Sequence, residues 1–329
     1  MRRFLALLLL PSAVSAFDLA EDDTRHLSDP AYLPFAGQVA ADLDYQRSIQ
    51  RINFPGQFAS EANEVERIQS NRGALAVAFG ITDRLSADVA LRYGEGADKL
   101  QVSSFPYRFG PVPAQQFSAK FAKVEDPSFG AAYRLIDQAG TGVNLDLHAA
   151  YSPYLARRVF NYFPYVQTDA RGRQAFDAHL SLSRVMQSLT MAMEIGERHE
   201  SGGGAFRHDD LGIQPAIPLG PQDTVDAALK TQVRILDRLA LDAAFAVAKP
   251  SALTYRESPY IPGDKVKYDA VTSARFGLDY FLIPDSLYVG PWLDFVSGGP
   301  ARDRVGYYLQ SEIRSPFEKS FGVRLGFAL

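Results

Sequence analysis

Residues 73–93 read GALAVAFGITDRLSADVALRY, and this stretch decides the fold because its apolar residues recur at every second position. Leu75 begins the apolar series in the first arm, and Tyr93 ends it in the second. The even positions of the second arm carry Asp88 and Arg92. A period of two places alternate side chains on opposite faces of a strand. A short Asp-containing turn between two such arms is typical of an antiparallel hairpin. The stretch therefore predicts a hairpin with one apolar and one charged face.

The same unit recurs along most of the chain, for example in residues 129–151, 176–195, 225–247 and 274–295. Very short turns alternate with long hydrophilic loops between these segments. Alternating strands of about 9–11 residues are what a tilted transmembrane strand requires. A sheet inside hydrocarbon must pair every backbone group, so it must close on itself. The pattern predicts an all-β fold: a single transmembrane antiparallel up-and-down β-barrel.

The number of strands stays open at this point. Thirteen segments alternate clearly, the last two at residues 305–313 and 321–329, and a weak one at residues 211–219 brings the total to fourteen. Both termini of such a barrel belong in the periplasm, so an even number is expected. We predict about 14 strands, with 12 as the main alternative if one hairpin lies in a loop. A secreted β-sandwich or solenoid also alternates, but strands in soluble sheets are usually about 5–6 residues long.

The first residues predict an export signal. Arg2 and Arg3 precede the apolar run FLALLLL at residues 4–10, and small residues follow at 14–16. This is the pattern of a secretory signal peptide, predicted here as residues 1–16. The alternative is a membrane anchor, for which the apolar run is too short. Residues 17–35, interrupted by Pro30 and Pro34, are predicted to form a periplasmic lead-in, and residues 36–329 the transmembrane barrel.

Composition excludes several classes of protein. The chain of 329 residues has 47% hydrophobic residues, a net charge of −4 and no cysteine, and its mean hydropathy is −0.13. Without cysteine there is no disulfide framework and no thiolate metal site. No apolar run reaches the roughly 18 residues of a spanning helix. No basic block indicates a nucleic-acid partner.

The chain resembles Gram-negative outer-membrane β-barrels in its signal, its repeated hairpins and its last strand, FGVRLGFAL at residues 321–329. Such proteins typically end in an aromatic residue, whereas here Phe327 is followed by Ala328 and Leu329. The stretch LSDPAYLPFAG at residues 27–37 resembles outer-membrane transport proteins of the phenol-degradation (meta-pathway) type. The resemblance implies location in the outer membrane of a Gram-negative bacterium and contact with outer-membrane lipid and lipopolysaccharide. It also implies recognition of the C-terminal strand by the assembly machinery.

The polar faces of the strands supply the candidate functional residues. We predict that these residues line the lumen: Asp88, Arg92, Arg134, Asp146, His148, Asp177, His179, Glu194, Asp226, Lys230, Arg234, Arg275, Asp279, Asp294, Glu312, Arg314 and Arg324. Charges inside a barrel are tolerated when they are hydrated or paired. A hydrated lumen lined by charge is typical of a channel. The sequence therefore predicts passive diffusion of small polar or amphipathic solutes. Since both signs are interspersed, no strong selectivity is predicted.

Two other functions remain open from the sequence. His148 and His179 fall on polar faces near Asp146 and Asp177, and such a group is compatible with an ion site or with a barrel-embedded acyl hydrolase. A catalytic triad is recognised by geometry, however, and no spacing here is diagnostic. The other alternative is a structural or adhesive barrel with a plugged lumen. We predict no catalytic residue, no metal site and no cofactor.

Overall fold

The structure is a computed structural model that describes residues 28–54, 64–107, 110–124, 126–155, 158–161, 173–209, 212–213, 217–255, 264–284, 286–298, 300–305, 309–312 and 314–329. The predicted signal at residues 1–16 and the first part of the predicted lead-in lie outside the described residues. The barrel strands are β1 (Val39–Phe54), β2 (Glu64–Thr82), β3 (Leu85–Val102), β4 (Ser128–Ile136), β5 (Asn144–Ser152), β6 (Ala175–Met186), β7 (Leu189–Glu200), β8 (Gln222–Leu236), β9 (Leu239–Pro250), β10 (Val271–Ile283), β11 (Leu287–Ser297) and β12 (Arg314–Ala328).

These strands close into an antiparallel up-and-down barrel. Each strand pairs with the next in sequence, and β12 pairs with β1, as in the partners Ala40 and Ala328. The hairpin predicted from residues 73–93 is β2–β3, with Gly73 opposite Tyr93. In its turn, the Thr82 hydroxyl accepts hydrogen bonds from the amides of Arg84 and Leu85. The predicted all-β closed barrel is confirmed.

The prediction of about fourteen strands is wrong, and the alternative of twelve is confirmed. Two segments that alternate in sequence do not join the barrel. Within residues 211–219 the described pieces are Gly212–Ile213 and Ile217–Leu219, and within 305–313 the described strand is Leu309–Glu312. All three belong to a second sheet. Alternation shows that a strand has two different faces, but membership of the barrel depends on finding a barrel strand on each side.

The second sheet is built from the long connections and lies at the end of the barrel opposite the short turns. Its strands are Arg158–Asn161, Gly203–Asp209, Gly212–Ile213, Ile217–Leu219, Leu253–Tyr255, Asp264–Tyr268, Pro300–Val305 and Leu309–Glu312. In the connection between β3 and β4, Phe105–Tyr107 pairs with Gly110–Val112, and Gln115–Val124 extends the barrel along the outer half of β3. A short helix, α1 (Gln138–Thr141), is capped by Asp137 and by Gly142 at φ 79°. Within the described ranges no helix is long and apolar enough to cross a membrane.

The outer surface of the barrel is a continuous apolar belt. Its large side chains are exposed on every barrel strand: Leu43, Tyr45, Leu75, Phe79, Leu91, Tyr93, Phe129, Tyr133, Leu147, Tyr151, Phe176, Ile195, Val225, Val233, Leu241, Phe245, Phe276, Tyr280, Leu293, Phe295, Phe321, Val323 and Phe327. Water does not favour such a surface, and patches of this size mark contact with lipid or protein. An outward apolar band edged by aromatic residues is the surface of a transmembrane barrel.

Candidate functional site

The short-turn end of the lumen contains residues 28–38, here called the N-terminal segment. The Thr190 hydroxyl donates to the Asp29 carboxylate at 2.6 Å, and the Gln232 amide donates to the Ser28 hydroxyl at 2.8 Å. Thr190 on β7 and Gln232 on β8 are opposite partners on the lumen face. Ala31 and Leu33 are buried. The N-terminal segment therefore occupies space inside the barrel and narrows this end.

Arg134 fixes the same segment to β4 and β5, a second part of the barrel wall. Its Nε and Nη2 atoms bind the two carboxylate oxygens of Asp146 at 2.7 and 2.9 Å, and Nη2 also donates to the Ala31 carbonyl at 2.8 Å. The Arg134 side chain is fully buried. A bidentate guanidinium–carboxylate pair has a specific geometry. Removing one partner of a buried pair leaves the charge of the other uncompensated. Arg134 thus holds β4, β5 and the N-terminal segment in one arrangement.

A denser charge cluster lies on the lumen face of β9, β10, β11, β12 and β1. Arg324 Nη2 lies 2.5 Å from Asp242 and 2.7 Å from Asp279, while its Nε donates to Asp279 at 2.9 Å. The Tyr288 hydroxyl donates to Asp42. Asp44 lies opposite Arg324 on the neighbouring strand. The cluster crosses several strands of one wall, so it is a property of the closed barrel and of no single hairpin.

Glycines make the space for these large polar side chains. A Cβ atom at Gly277 would lie 2.2 Å from the Asp242 carboxylate, and one at Gly290 would lie 2.2 Å from Asp279. One at Gly322 would lie 2.4 Å from a backbone oxygen and 2.5 Å from the ring of Trp292. Distances below 3 Å do not occur for real Cβ atoms. At each of these glycines, a charged or aromatic side chain of a neighbouring strand occupies the space that a Cβ atom would need.

The two candidate histidines lie in a polar row across β3 to β8. His148 and His179 are opposite partners on β5 and β6, with ring centroids 6.4 Å apart. His148 Nε2 lies 3.2 Å from Asp88, and His179 Nδ1 lies 3.6 Å from Asp226. Neither histidine hydrogen-bonds a serine in the described part of the chain. The geometry brings each histidine to a carboxylate but assembles no serine–histidine pair.

Further lumen-facing pairs join neighbouring strands, two of them within β6 to β8 and one between β10 and β11. Lys230 binds Glu194 at 2.7 Å, Arg198 pairs with Asp177, and Arg275 pairs with Asp294 at 3.2 Å. The side chains of His148 and Lys230 are 38% and 41% exposed. Because these residues face inward, their exposed area is lumen surface open to water. The short-turn end is thus packed, whereas the lumen beside the histidine row leaves side chains accessible to solvent.

Of the four remaining residues predicted to line the lumen, two lie on its face, one lies in the second sheet and one lies at the start of β12. Arg234, on the lumen face of β8, contributes its charge to the field at Asp29. Arg92 lies on β3 opposite Ala74, inside the barrel, and is partnered. Glu312 ends a strand of the second sheet, and Arg314 begins β12 opposite Asn53. The side chains of Glu312 and Arg314 lie outside the described residues.

Sequence reasoning missed several residues of the site. Asp42 and Asp44 alternate with Leu43 and Tyr45 in the stretch ADLDY, so the signal for lumen-facing carboxylates was present. The place of the N-terminal segment had no such signal, since residues 28–38 contain no periodic pattern. The space-making glycines could not be found either, because their partners lie on other strands.

Comparison with known proteins concerns the fold alone. An outer-membrane channel from Pseudomonas putida F1 is 14% identical over 89% of this chain and 97% of that chain, with a TM-score of 0.51. A Pseudomonas aeruginosa FadL homologue is 9% identical over 88% of this chain and 90% of that chain, with a TM-score of 0.44. The Pseudomonas putida toluene transporter TodX is 13% identical over 92% of each chain, with a TM-score of 0.43. No protein-family model and no curated protein sequence matches the chain. The chain has the fold of an outer-membrane β-barrel.

Proposed function

We propose that this barrel is a channel of the Gram-negative outer membrane through which small polar or amphipathic solutes diffuse passively. The observation that carries the proposal is the hydrated, charged lumen beside the histidine row, where His148 and Lys230 stay partly exposed inside the barrel. A wet lumen with charges of both signs accepts solutes that a packed core excludes. The apolar outer belt and the barrel fold are further support.

The N-terminal segment sets the width of the short-turn end. It is held by a small number of polar contacts, chiefly Asp29 with Thr190, Ser28 with Gln232, and Ala31 with Arg134. Each such hydrogen bond contributes only about 0.5–1.5 kcal/mol net, or more where a charge takes part. Passage through this end therefore depends on how firmly the segment is held. A firmly held segment favours the second candidate function, a structural barrel with a closed lumen.

The lipid environment of the long-loop end is part of the proposal. Arg67 on β2 and Lys99 on β3 are directly opposite each other, and both are exposed on the outer face. Like charges in one lateral row repel each other. Phosphate groups of surrounding lipid, such as those of lipopolysaccharide, would offset that repulsion, since basic clusters bind anionic headgroups. We accordingly place the long-loop end at the phosphorylated leaflet.

Planar-bilayer recording of the purified full chain tests the channel proposal. Wild-type protein should give discrete conductance steps, and Lys230→Gln should alter their size because Lys230 faces the hydrated lumen. Leu229→Val is the matched control, since Leu229 is the adjacent outward residue on β8. Absence of steps from protein that shows heat-modifiable migration on gels would contradict the proposal. Absence of steps also from Thr190→Val, which loosens the N-terminal segment, would favour the structural barrel.

The lipid proposal has its own measurement. Binding of lipid A to detergent-solubilised protein can be followed by native mass spectrometry. The double variant Arg67→Gln with Lys99→Gln should retain less lipid A than wild type. Arg84→Gln with Arg238→Gln makes the same charge change at the short turns and should retain as much as wild type. Equal retention by both double variants would contradict the assignment.

A further inference from the structure

The charged lumen side chains that the structure describes are not distributed evenly around the barrel. We define the acidic wall as the lumen face of β9, β10, β11, β12 and β1, and the balanced wall as the lumen face of β2 to β8. The described ionisable side chains of the acidic wall are Asp42, Asp44, Asp242, Asp279, Asp294 and Glu318, with Arg275 and Arg324. Acidic side chains outnumber basic ones there by four.

Among the side chains that the structure describes, the balanced wall has equal numbers of acidic and basic residues. Its described members are Asp88, Asp146, Asp177, Glu194, Glu200 and Asp226, with Arg72, Arg92, Arg134, Arg198, Lys230 and Arg234. Six of the twelve form pairs between neighbouring strands, namely Arg134 with Asp146, Arg198 with Asp177, and Lys230 with Glu194. Opposite charges this close cancel each other's field a short distance away. Among the described side chains, the surplus of negative charge therefore lies on the acidic wall.

The two basic residues of the acidic wall whose side chains the structure describes are both engaged. Arg324 is bound by Asp242 and Asp279. Arg275 binds Asp294, and its guanidinium carbon lies 4.2 Å from the ring centroid of Trp292. Asp44 and Glu318 are partly exposed on the same wall. Positive charge is thus already matched to carboxylates, and the surplus carboxylates face the lumen.

We propose that the acidic wall makes the lumen selective for cations, so that the preferred solutes are small and positively charged, such as those with an ammonium group. A lumen with low-dielectric walls focuses the field of one sign and raises the local concentration of the opposite ion. Acidic side chains around a pore are the usual basis of cation preference. The sequence alone predicted no strong selectivity, because the partition between the two walls exists only in the closed barrel. This inference rests on the proposed channel function.

The reversal potential in a KCl gradient across a planar bilayer tests this proposal. Wild-type channels should favour K⁺ over Cl⁻, and the preference should fall as total salt rises, because salt screens charge over about 10 Å at 0.1 M. The double variant Asp44→Asn with Glu318→Gln should reduce the permeability ratio. Asp223→Asn is the matched control, because Asp223 is an exposed carboxylate on the outer side of β8, paired with His199.

The possible outcomes separate the two proposals. Conductance with no preference, or with a preference for Cl⁻, would overturn the cation selectivity and leave the channel intact. An equal loss of preference in Asp223→Asn and in the lumen variants would also overturn it, because the acidic wall would then not be the source. Folded protein without conductance, including the loosened Thr190→Val variant, would overturn both proposals.

Discussion

The two faces of the same strands are constrained in different ways. On β8, Val225 and Val233 face outward and are 58% and 41% exposed, whereas Asp226 and Gln232 face inward next to them in sequence. The outer positions need only be apolar, because lipid surrounds them all alike. The inner positions need particular partners, as Gln232 needs Ser28 and Asp226 needs His179. The residues of the outer face can therefore be predicted from the sequence of each strand alone. The residues of the inner face depend on partners that only the assembled barrel brings near them.

The largest effect is expected from a charge on the outer face. Leu91→Arg or Val233→Arg places a guanidinium in the apolar belt, which costs about 2–4 kcal/mol near the middle of the bilayer. Arg92→Leu and Gln232→Leu change the adjacent inward positions and should fold in much higher yield. The fraction of heat-modifiable, folded protein on gels measures the difference. Equal yields for the two sets would show that the assigned faces are wrong.

A smaller effect is expected where glycine makes space inside the barrel. Gly322→Ala forces a Cβ against backbone and the Trp292 ring, and overpacking of this kind costs about 1–3 kcal/mol. Gly73→Ala is the control, since a Cβ there meets nothing within 4 Å. In urea unfolding in detergent micelles, Gly322→Ala should have a lower midpoint than wild type, whereas Gly73→Ala should have the wild-type midpoint. The glycine assignment fails if the midpoints of both variants match wild type.

A change of function without a change of folding is expected at the N-terminal segment. Thr190→Val removes the hydroxyl that donates to Asp29, while Val keeps the shape of the side chain. A lost hydrogen bond to a charged group weakens the contact by about 1.5–3 kcal/mol. Single-channel conductance or open time should rise. Thr231→Val, at the outward position beside Gln232 on β8, makes the same chemical change and should leave conductance and open time unchanged. A rise of either quantity in Thr231→Val and not in Thr190→Val would contradict the role of the N-terminal segment.

The smallest effect is a dependence on pH. Burial raises the pKa of the Asp29 carboxyl above its ordinary value of 3.8, although hydrogen bonds from Thr190 and Ala31 and the charge of Arg234 oppose the shift. The Asp29 carboxyl thus binds a proton more tightly when the N-terminal segment is docked inside the barrel than when the segment is released from it. Docking is favoured fully below pH 3.8 and loses that contribution as the pH rises through the raised pKa. Conductance should therefore fall as the solution is acidified from neutral towards pH 3.8. A variant Asp29→Asn that responds to pH as wild type does would exclude Asp29 as the cause.

The sequence predicts the outer face well and the inner face only in part. Alternation through Leu75, Leu91 and Val233 identified lipid-facing positions, because that constraint is local to each strand. The same alternation assigned residues 305–313 to the barrel, since a loop strand with two unlike faces has the same period. The pairing of Arg134 with Asp146 joins neighbouring strands and lay within reach of a hairpin prediction. The contact of Asp29 with Thr190 could not be predicted in this way, because 161 positions separate the two residues and only closure of the barrel brings them together.

The most direct test of the account is modification of single cysteines during bilayer recording, which the absence of native cysteine makes unambiguous. Lys230→Cys places a thiol on the hydrated lumen face, and Leu229→Cys places one on the adjacent outward face of the same strand. A charged, membrane-impermeant thiol reagent should change the conductance of open Lys230→Cys channels in discrete steps. It should leave Leu229→Cys channels unchanged. A step change in Leu229→Cys, or modification of Lys230→Cys without any change in conductance, would contradict the claim that the inner face of the barrel lines the path of the solute.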